Sequence, residues 1–270
     1  MARQHRLICD TNIWYDLYAG TITWKELTKW GGRPCIAPFS IAEIVGGLSL
    51  REYLHRKEVC KAILAAGPTL LPDEEALVSG GSVQPEWEMA LQAVVKSDSY
   101  REDVMQLYLG KDVVDFNIVK FLNAWRRSHE VAWMRGVARA VAATCPADIS
   151  VKYLNAMANP NLRFPPTLKV STTTMNTYLS TQESIGAFDQ AMQMRFAGLA
   201  KFEEIECYLA VYKRYLTDLV CKPKKPLPND HLDHQLFMYA IDNWHIITTR
   251  DTVWQQYVEE AGFAHRLRKL

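Results

Sequence analysis

The chain has 270 residues, of which 49% are hydrophobic, and its formal net charge at pH 7 is +1. This length allows one large domain or two small ones, and the apolar content excludes global disorder. Because the overall charge is close to zero, a nucleic-acid partner would have to be held by a local basic face.

The six cysteines are far apart and form no CxxC pair. This spacing indicates free, mostly buried thiols in a reducing compartment. The sequence contains no signal-peptide pattern, and no apolar stretch approaches the roughly 18 residues that span a bilayer. We therefore expect a soluble cytoplasmic protein without a membrane partner.

The first 72 residues alternate predicted strands with predicted helices. The predicted elements, in chain order, are a strand over 7–9, a mixed helical segment over 13–30, a strand over 35–37, helices that open at Ser40 and at about residue 50, and a short strand over 69–72. The first strand ends abruptly in Asp10. A carboxylate at the carboxyl end of a strand faces the crevice in which α/β sheets bind ligands, so Asp10 is a candidate metal ligand.

Long helical patterns replace the strand signals over residues 73–220, where apolar residues recur at helical spacing. After a stiff basic linker, the sequence again predicts a helix over 230–242, a strand over 245–248 and a helix over 252–261. One architecture fits this order. Both termini form an α/β layer, and 73–220 form an all-helical insertion that packs on it.

Four acids recur at equivalent places in this α/β half. Asp10 and Asp251 each follow a predicted strand, whereas Glu43 and Asp233 each lie in the first turn of a predicted helix. In a parallel sheet, strand carboxyl ends and helix amino ends share one edge, so all four acids can converge there. Converging carboxylates need a cation, and oxygen ligands without thiolates favour Mg²⁺ or Mn²⁺.

Helix capping is the alternative explanation for each acid. Ser40 and Glu43 have the spacing of a capping box. Asp233 follows Asp230 by three residues, which also suits a capped helix. Asp10 and Asp251 each precede a predicted helix and could be its N-cap.

Together these motifs resemble the PIN domain, a family of metal-dependent ribonucleases that includes VapC-type toxins. The resemblance lies in the strand followed by Asp10-Thr11-Asn12-Ile13, in Ser40-x-x-Glu43, in the helix that carries Asp233, and in Ile247-Thr248-Thr249-Arg250-Asp251. It covers residues 1 to about 72 and about 228 to 270, within a predicted core of 1–72 and 221–270, and leaves the middle half of the chain unaccounted for.

The resemblance implies a three-layer α/β/α sandwich with a mostly parallel central sheet. It also implies a catalytic Mg²⁺ or Mn²⁺ site formed by Asp10, Glu43, Asp233 and Asp251, with Asn12 and Thr249 in support. Asp230 is an alternative third acid, ranked second. The substrate implied is RNA. The insertion could select substrate, form a homodimer or mask the site, and an antitoxin or another regulatory protein could be a partner.

Asn12, the two histidines near Asp233 and the basic clusters also allow other interpretations. A haloacid-dehalogenase-type phosphatase needs a second aspartate where this chain has Asn12. His231 and His234 could bind a transition metal, but we favour a surface position for both. Two basic clusters could hold an RNA backbone, or could be a solvated linker and a frayed tail. Their members are Lys222, Lys224, Lys225, Arg266, Arg268 and Lys269.

Two classes of function stay open. The first is a metal-dependent endoribonuclease, in which a metal-activated water hydrolyses the RNA phosphodiester bond. The second is a non-catalytic PIN-like module that binds RNA or a protein partner through its helical insertion.

Overall fold

The computed structural model describes most of the two terminal regions and part of the middle of the chain. The described residues are 5–29, 31–45, 53–73, 76–77, 80–83, 85–96, 205–221 and 229–270, with the isolated positions 124, 133, 137, 147 and 151. The strands are β1 (His5–Cys9), β2 (Gly32–Ile36), β3 (Thr69–Leu70), β4 (His245–Thr249) and β5 (Leu267–Lys269). The helices are α1 (Thr11–Ala19), α2 (Trp24–Thr28), α3 (Pro38–Val45), α4 (Tyr53–Ala66), α5 (Pro85–Lys96), α6 (Glu206–Cys221), α7 (Asp230–Gln235) and α8 (Thr252–Glu260).

The five strands form one sheet with the order β3-β2-β1-β4-β5, and every pairing is parallel. This confirms the prediction of an α/β fold with a mostly parallel sheet built from both ends of the chain. β1 is central: Leu7 lies opposite Pro34 on β2 and opposite Ile246 on β4. The strand order reverses at β1, and in open α/β sheets such a switch point opens a crevice at the strand carboxyl ends.

Two hydrophobic cores line the sheet, because neighbouring strand residues point to opposite faces. Leu7 and Cys9 of β1 belong to one core, which also contains side chains of α1, α3, α4 and α5. Ile8 belongs to the other core, which contains side chains of α6, α7 and α8. Helices therefore pack against both faces of β1 through these apolar side chains.

The predicted insertion over 73–220 lies mostly outside the described residues. Its described helices pack on the α/β half: α5 contacts α3 and α4, and α6 contacts α7 and α8. Trp133 and Val137 contribute buried side chains to the second core. The described ends of this region are thus helical, as predicted.

Two local predictions differ from the structure. The helix predicted over 230–242 is α7 followed by a 3-10 turn, Leu236–Tyr239. The basic C-terminus was predicted to be either a nucleic-acid contact or a frayed tail, but 267–269 pair with β4 as the edge strand β5. Short edge strands that carry charged residues are common, because they discourage pairing with other chains. Within the ranges given above, no helix combines the length and apolarity needed to cross a membrane.

Candidate active site

The predicted acids lie on elements that meet at the carboxyl edge of the sheet. Asp10 follows β1 and Asp251 follows β4, and these two strands are neighbours. The backbone N–H of Asp10 donates to the carbonyl of Thr248 at 3.0 Å, which ties the two strand ends together. Glu43 lies on α3 and Asp233 on α7, and these two helices contact each other.

Asp10 is the most buried of the four acids, with 6% of its surface exposed. Its Oδ2 accepts hydrogen bonds from Asn12 Nδ2 at 2.8 Å and from Thr249 Oγ1 at 2.7 Å. Its Oδ1 accepts the N–H of Thr11 at 2.6 Å, so Asp10 is also the N-cap of α1. These three donors fix the carboxylate and leave Oδ1 with fewer bonds than Oδ2.

The electrostatic surroundings of Asp10 disfavour its charged form. Burial, together with the negative charges of Glu43 and Asp251, raises the pKa of Asp10 to about 6. The hydrogen bonds from Thr249 and from the Thr11 N–H act in the opposite direction. The carboxylate is therefore held in place by donors, while burial and nearby acids make its charge costly.

The pKa of Asp233 is raised further than that of Asp10. Burial, followed by the negative charges of Asp10, Glu43, Asp251 and Asp230 in that order, raises its pKa to about 8. Asp233 thus lies within electrostatic range of all three other predicted acids. Like charges that share a site raise each other's pKa, and such perturbed groups concentrate at functional sites.

Asp251 is both a helix cap and a member of this group. Its Oδ1 accepts the N–H groups of Val253 at 2.8 Å and of Trp254 at 3.1 Å, which makes it the N-cap of α8. The capping interpretation is therefore correct for Asp251. It is compatible with a second role, since capping uses one of the two carboxylate oxygens.

The capping box predicted for Ser40 and Glu43 is wrong. α3 begins at Pro38, so Ser40 is the third residue of the helix and cannot cap it. Proline is favoured at the first helical position, where no backbone N–H is needed. Among the described residues, the fully buried Ser40 hydroxyl has no hydrogen-bond partner. Helix capping therefore does not account for the position of the half-buried Glu43 side chain.

The structure separates Asp230 from Asp233. The carboxylate of Asp230 is buried and accepts the phenol O–H of Tyr215 on α6 at 2.9 Å. Among the described residues, Asp233 accepts only a long contact of 3.4 Å from the amide of Asn229. Within the same part of the chain, no side chain caps α7, whose N-cap residue is Asn229. This geometry favours Asp233 as the third acid, with Asp230 anchored to α6.

The surface position favoured for His231 and His234 is wrong. Their side chains are buried, with 2% and 0% exposed, beneath Trp133. His234 Nε2 lies 3.1 Å from the carbonyl of Tyr208, and His231 Nδ1 lies 3.2 Å from Gln235 Nε2. Both rings therefore belong to an aromatic core between α6 and α7.

The structure describes the C-terminal basic cluster but not the cluster in the predicted linker. Lys222, Lys224 and Lys225 lie outside the described residues. Arg266 is half-buried and donates to the carbonyl of Ala240, and the exposed Lys269 pairs with Glu259 at 2.5 Å. Arg268 is half-buried on the edge strand. The C-terminal cluster thus has intramolecular contacts that the sequence did not reveal.

Two features of this edge were missed by sequence reasoning. Gln255 is buried on α8 and its Nε2 donates to the carbonyl of Thr249 at 2.7 Å, which holds the end of β4. Arg250 Nη1 donates to Asp16 Oδ2 at 2.9 Å. Arg250 stands inside the quoted motif between Thr249 and Asp251, but nothing in the sequence indicated its partner on α1.

The donor chemistry of the four acids fits Mg²⁺ or Mn²⁺, which prefer carboxylate oxygens. In the described part of the chain, however, no three His, Cys, Asp or Glu side chains are arranged as the ligands of one ion. A mostly apolar pocket of about 510 Å³ lies elsewhere, between α1, α2 and α4, and none of the four acids lines it.

Comparisons of the chain with protein-family models, with curated proteins and with solved structures return no match.

Proposed function

We propose that this chain is a PIN-like endoribonuclease that hydrolyses RNA phosphodiester bonds with the help of Mg²⁺ or Mn²⁺. The observation that carries the proposal is the position of Asp10. It is a buried carboxylate at the switch point of a parallel sheet, fixed by three donors and within electrostatic range of Glu43 and Asp251. Crowded acids raise one another's pKa, and such perturbed groups concentrate at functional sites, where a cation can offset their charge.

Asp10, Glu43, Asp233 and Asp251 would hold the ion. When bound, it would lower the pKa of a water molecule and offset the negative charge of the phosphodiester. Among the described residues, Oδ1 of Asp10 accepts one hydrogen bond and one oxygen of Asp251 caps α8, so both carboxylates keep lone pairs for an ion.

The supporting residues orient these acids before substrate arrives. Thr249 donates to Asp10 and accepts the N–H of Asp251 at 3.1 Å, so one hydroxyl links two of the acids. Asn12 fixes the same Asp10 oxygen from α1. Preorganisation of this kind reduces the rearrangement needed during catalysis.

The choice of RNA follows from the resemblance of the four motifs to PIN-domain ribonucleases. The same resemblance supports a three-layer sandwich for residues 1–72 and 221–270, with 73–220 as an insertion. A homodimer, an antitoxin or another regulatory partner stays a prediction.

A metal titration combined with a cleavage assay tests the proposal. Calorimetry should detect Mn²⁺ binding to the wild type, and a labelled structured RNA should be cleaved only when the ion is present. Asp10→Asn should lose both properties. Glu88→Gln is the matched control, because Glu88 is an exposed acid on α5.

The non-catalytic alternative gives a different result. A module that only binds RNA should retain the RNA without cutting it, with or without Mn²⁺. A DNA strand of the same sequence serves as the comparison substrate, and equal cleavage of both strands would reject the preference for RNA.

A further inference from the structure

Arg250 places a positive charge at the rim of the acidic edge. It is the residue between Thr249 and Asp251, both of which belong to the hydrogen-bond network around Asp10. Its guanidinium donates to Asp16 on α1 at 2.9 Å, and 43% of the Arg250 side chain is exposed. The cation therefore lies between the end of β4 and the side of α1, open to solvent.

A nuclease site made of acids repels the phosphates on either side of the bond it cleaves. The ion offsets charge at the scissile phosphate, but a neighbouring phosphate needs a cation supplied by the protein. Arginine suits this task, because its planar fork donates two parallel hydrogen bonds to a phosphate.

A phosphate can replace Asp16 as the hydrogen-bond acceptor of Arg250. Ion pairs between exposed side chains contribute little to stability, because water screens the charges and two long side chains must be ordered. Asp16 holds the guanidinium beside α1 in the free protein. A phosphate oxygen can then take the place of the Asp16 carboxylate.

The predicted C-terminal cluster is less suited to this role. Arg266 is half-buried and bonded to the carbonyl of Ala240, and the exposed Lys269, which pairs with Glu259, has an ammonium group in place of a planar fork. Binding RNA through Arg266 would cost a contact between the residue before β5 and the residue after the 3-10 turn. Arg250 gives up only its ion pair with Asp16, in which the Arg250 side chain is 43% exposed and that of Asp16 is 20% exposed.

We propose that Arg250 is the residue that binds the RNA phosphate next to the acidic site, exchanging Asp16 for that phosphate when the strand enters. This inference rests on the proposed ribonuclease function. It extends that function by naming a protein contact that positions the strand.

The test is the salt dependence of RNA binding, measured in EDTA so that neither a metal ion nor cleavage takes part. Fluorescence anisotropy of a labelled single-stranded RNA gives the affinity at several salt concentrations. Arg250→Ala should weaken binding by about tenfold, since a charge-assisted contact is lost. It should also reduce the magnitude of the salt slope by about 0.7, the value for one phosphate on a single strand. Arg250→Lys keeps the charge and should keep the slope.

Two further variants separate phosphate binding from a structural role. Asp16→Ala breaks the same ion pair from its other side, so a structural role predicts the same loss as Arg250→Ala. Phosphate binding instead predicts an unchanged or higher affinity for Asp16→Ala, because a competing anion is gone. Arg214→Ala is the control, since Arg214 is exposed and bonded to the carbonyl of Glu260 at the far end of α8.

The outcomes also distinguish this inference from the proposed function. If the wild type cleaves RNA but Arg250→Ala binds like Arg214→Ala, the inference is overturned and the ribonuclease proposal stands. Equal losses in Arg250→Ala and Asp16→Ala would also overturn it. A wild type that binds no RNA at all would reject both.

Discussion

The hydroxyl of Thr249 donates a hydrogen bond to Oδ2 of Asp10 at 2.7 Å, although the two residues are 239 positions apart in the chain. The same hydroxyl accepts the N–H of Asp251 at 3.1 Å. A single side chain thus orients one acid and positions the backbone of another. The parallel pairing of β1 with β4 makes this contact possible, because it aligns the two strand ends.

Thr249→Val should reduce cleavage while the fold persists, because valine keeps the shape of threonine and removes the hydroxyl. The pKa of Asp10 should rise above about 6, since the Thr249 hydrogen bond lowers it in the wild type. The acid limb of the pH–rate profile should therefore move to higher pH. A lost hydrogen bond to a charged group corresponds to about 1.5–3 kcal/mol.

Thr248→Val is the matched control for this experiment. Thr248 is also buried on β4, but its hydroxyl donates to the carbonyl of Ile8 at 3.1 Å. This variant should lose stability without moving the pH profile. Identical profiles for Thr249→Val and the wild type would show that the hydroxyl does not orient Asp10.

Ser40→Ala should leave the stability of the protein unchanged or raise it. The Ser40 hydroxyl is buried and has no partner among the described residues, so its removal abolishes a desolvation cost of about 1–3 kcal/mol. Chemical denaturation of the two proteins measures the difference. A functioning cap would behave in the opposite way, and a loss of about 0.5–2 kcal/mol in Ser40→Ala would restore the capping interpretation.

The sequence predicted the parts of the fold that depend on local patterns. The apolar run before Asp10, the strand before Asp251 and the helix after it all produce clear signals, and the structure has these elements. The capping box at Ser40 failed because a stronger start signal, Pro38, stands two residues earlier. Pro38 and the spacing of Ser40 and Glu43 each indicate a helix start, and the sequence alone does not show at which of the two the helix begins.

Other features depend on contacts between distant segments, which no local pattern contains. His231 and His234 have polar side chains on a short helix, and only the packing of Trp133 and α6 against them makes them buried. β5 has no apolar run, so only its pairing with β4 defines it as a strand. The bond from Arg250 to Asp16 likewise depends on how β4 lies beside α1.

The metal-free protein should lose stability as the pH rises between about 4 and 8. In the unfolded chain both aspartates titrate near 3.9, about the usual value, whereas burial and like charges raise the pKa of Asp10 to about 6 and that of Asp233 to about 8. The folded state therefore binds more protons than the unfolded state in this window, and stability falls as those protons are lost.

Asp233→Asn should flatten the upper part of this decline, from about pH 6 to 8, because asparagine has no proton to lose. Urea denaturation in EDTA across this pH range measures the effect. A stability that increases with pH from 6 to 8 in the wild type would mean that Asp233 does not share a site with the other acids.

The measurement that tests the ribonuclease proposal most directly combines thermal melting, with and without Mn²⁺, and RNA cleavage for the wild type, Asp10→Asn and Asp10→Ala. At about 100 times its Kd, Mn²⁺ should stabilise the wild type by about 2.7 kcal/mol. Asp10→Asn should lose this stabilisation and cleavage together, whereas its metal-free stability should hold or rise, because one of the crowded charges is gone. Asp10→Ala should in addition lose about 0.5–2 kcal/mol, because α1 loses its N-cap. Full cleavage and a full Mn²⁺ effect in Asp10→Asn, beside a destabilised Asp10→Ala, would show that Asp10 only caps a helix and would contradict the proposal.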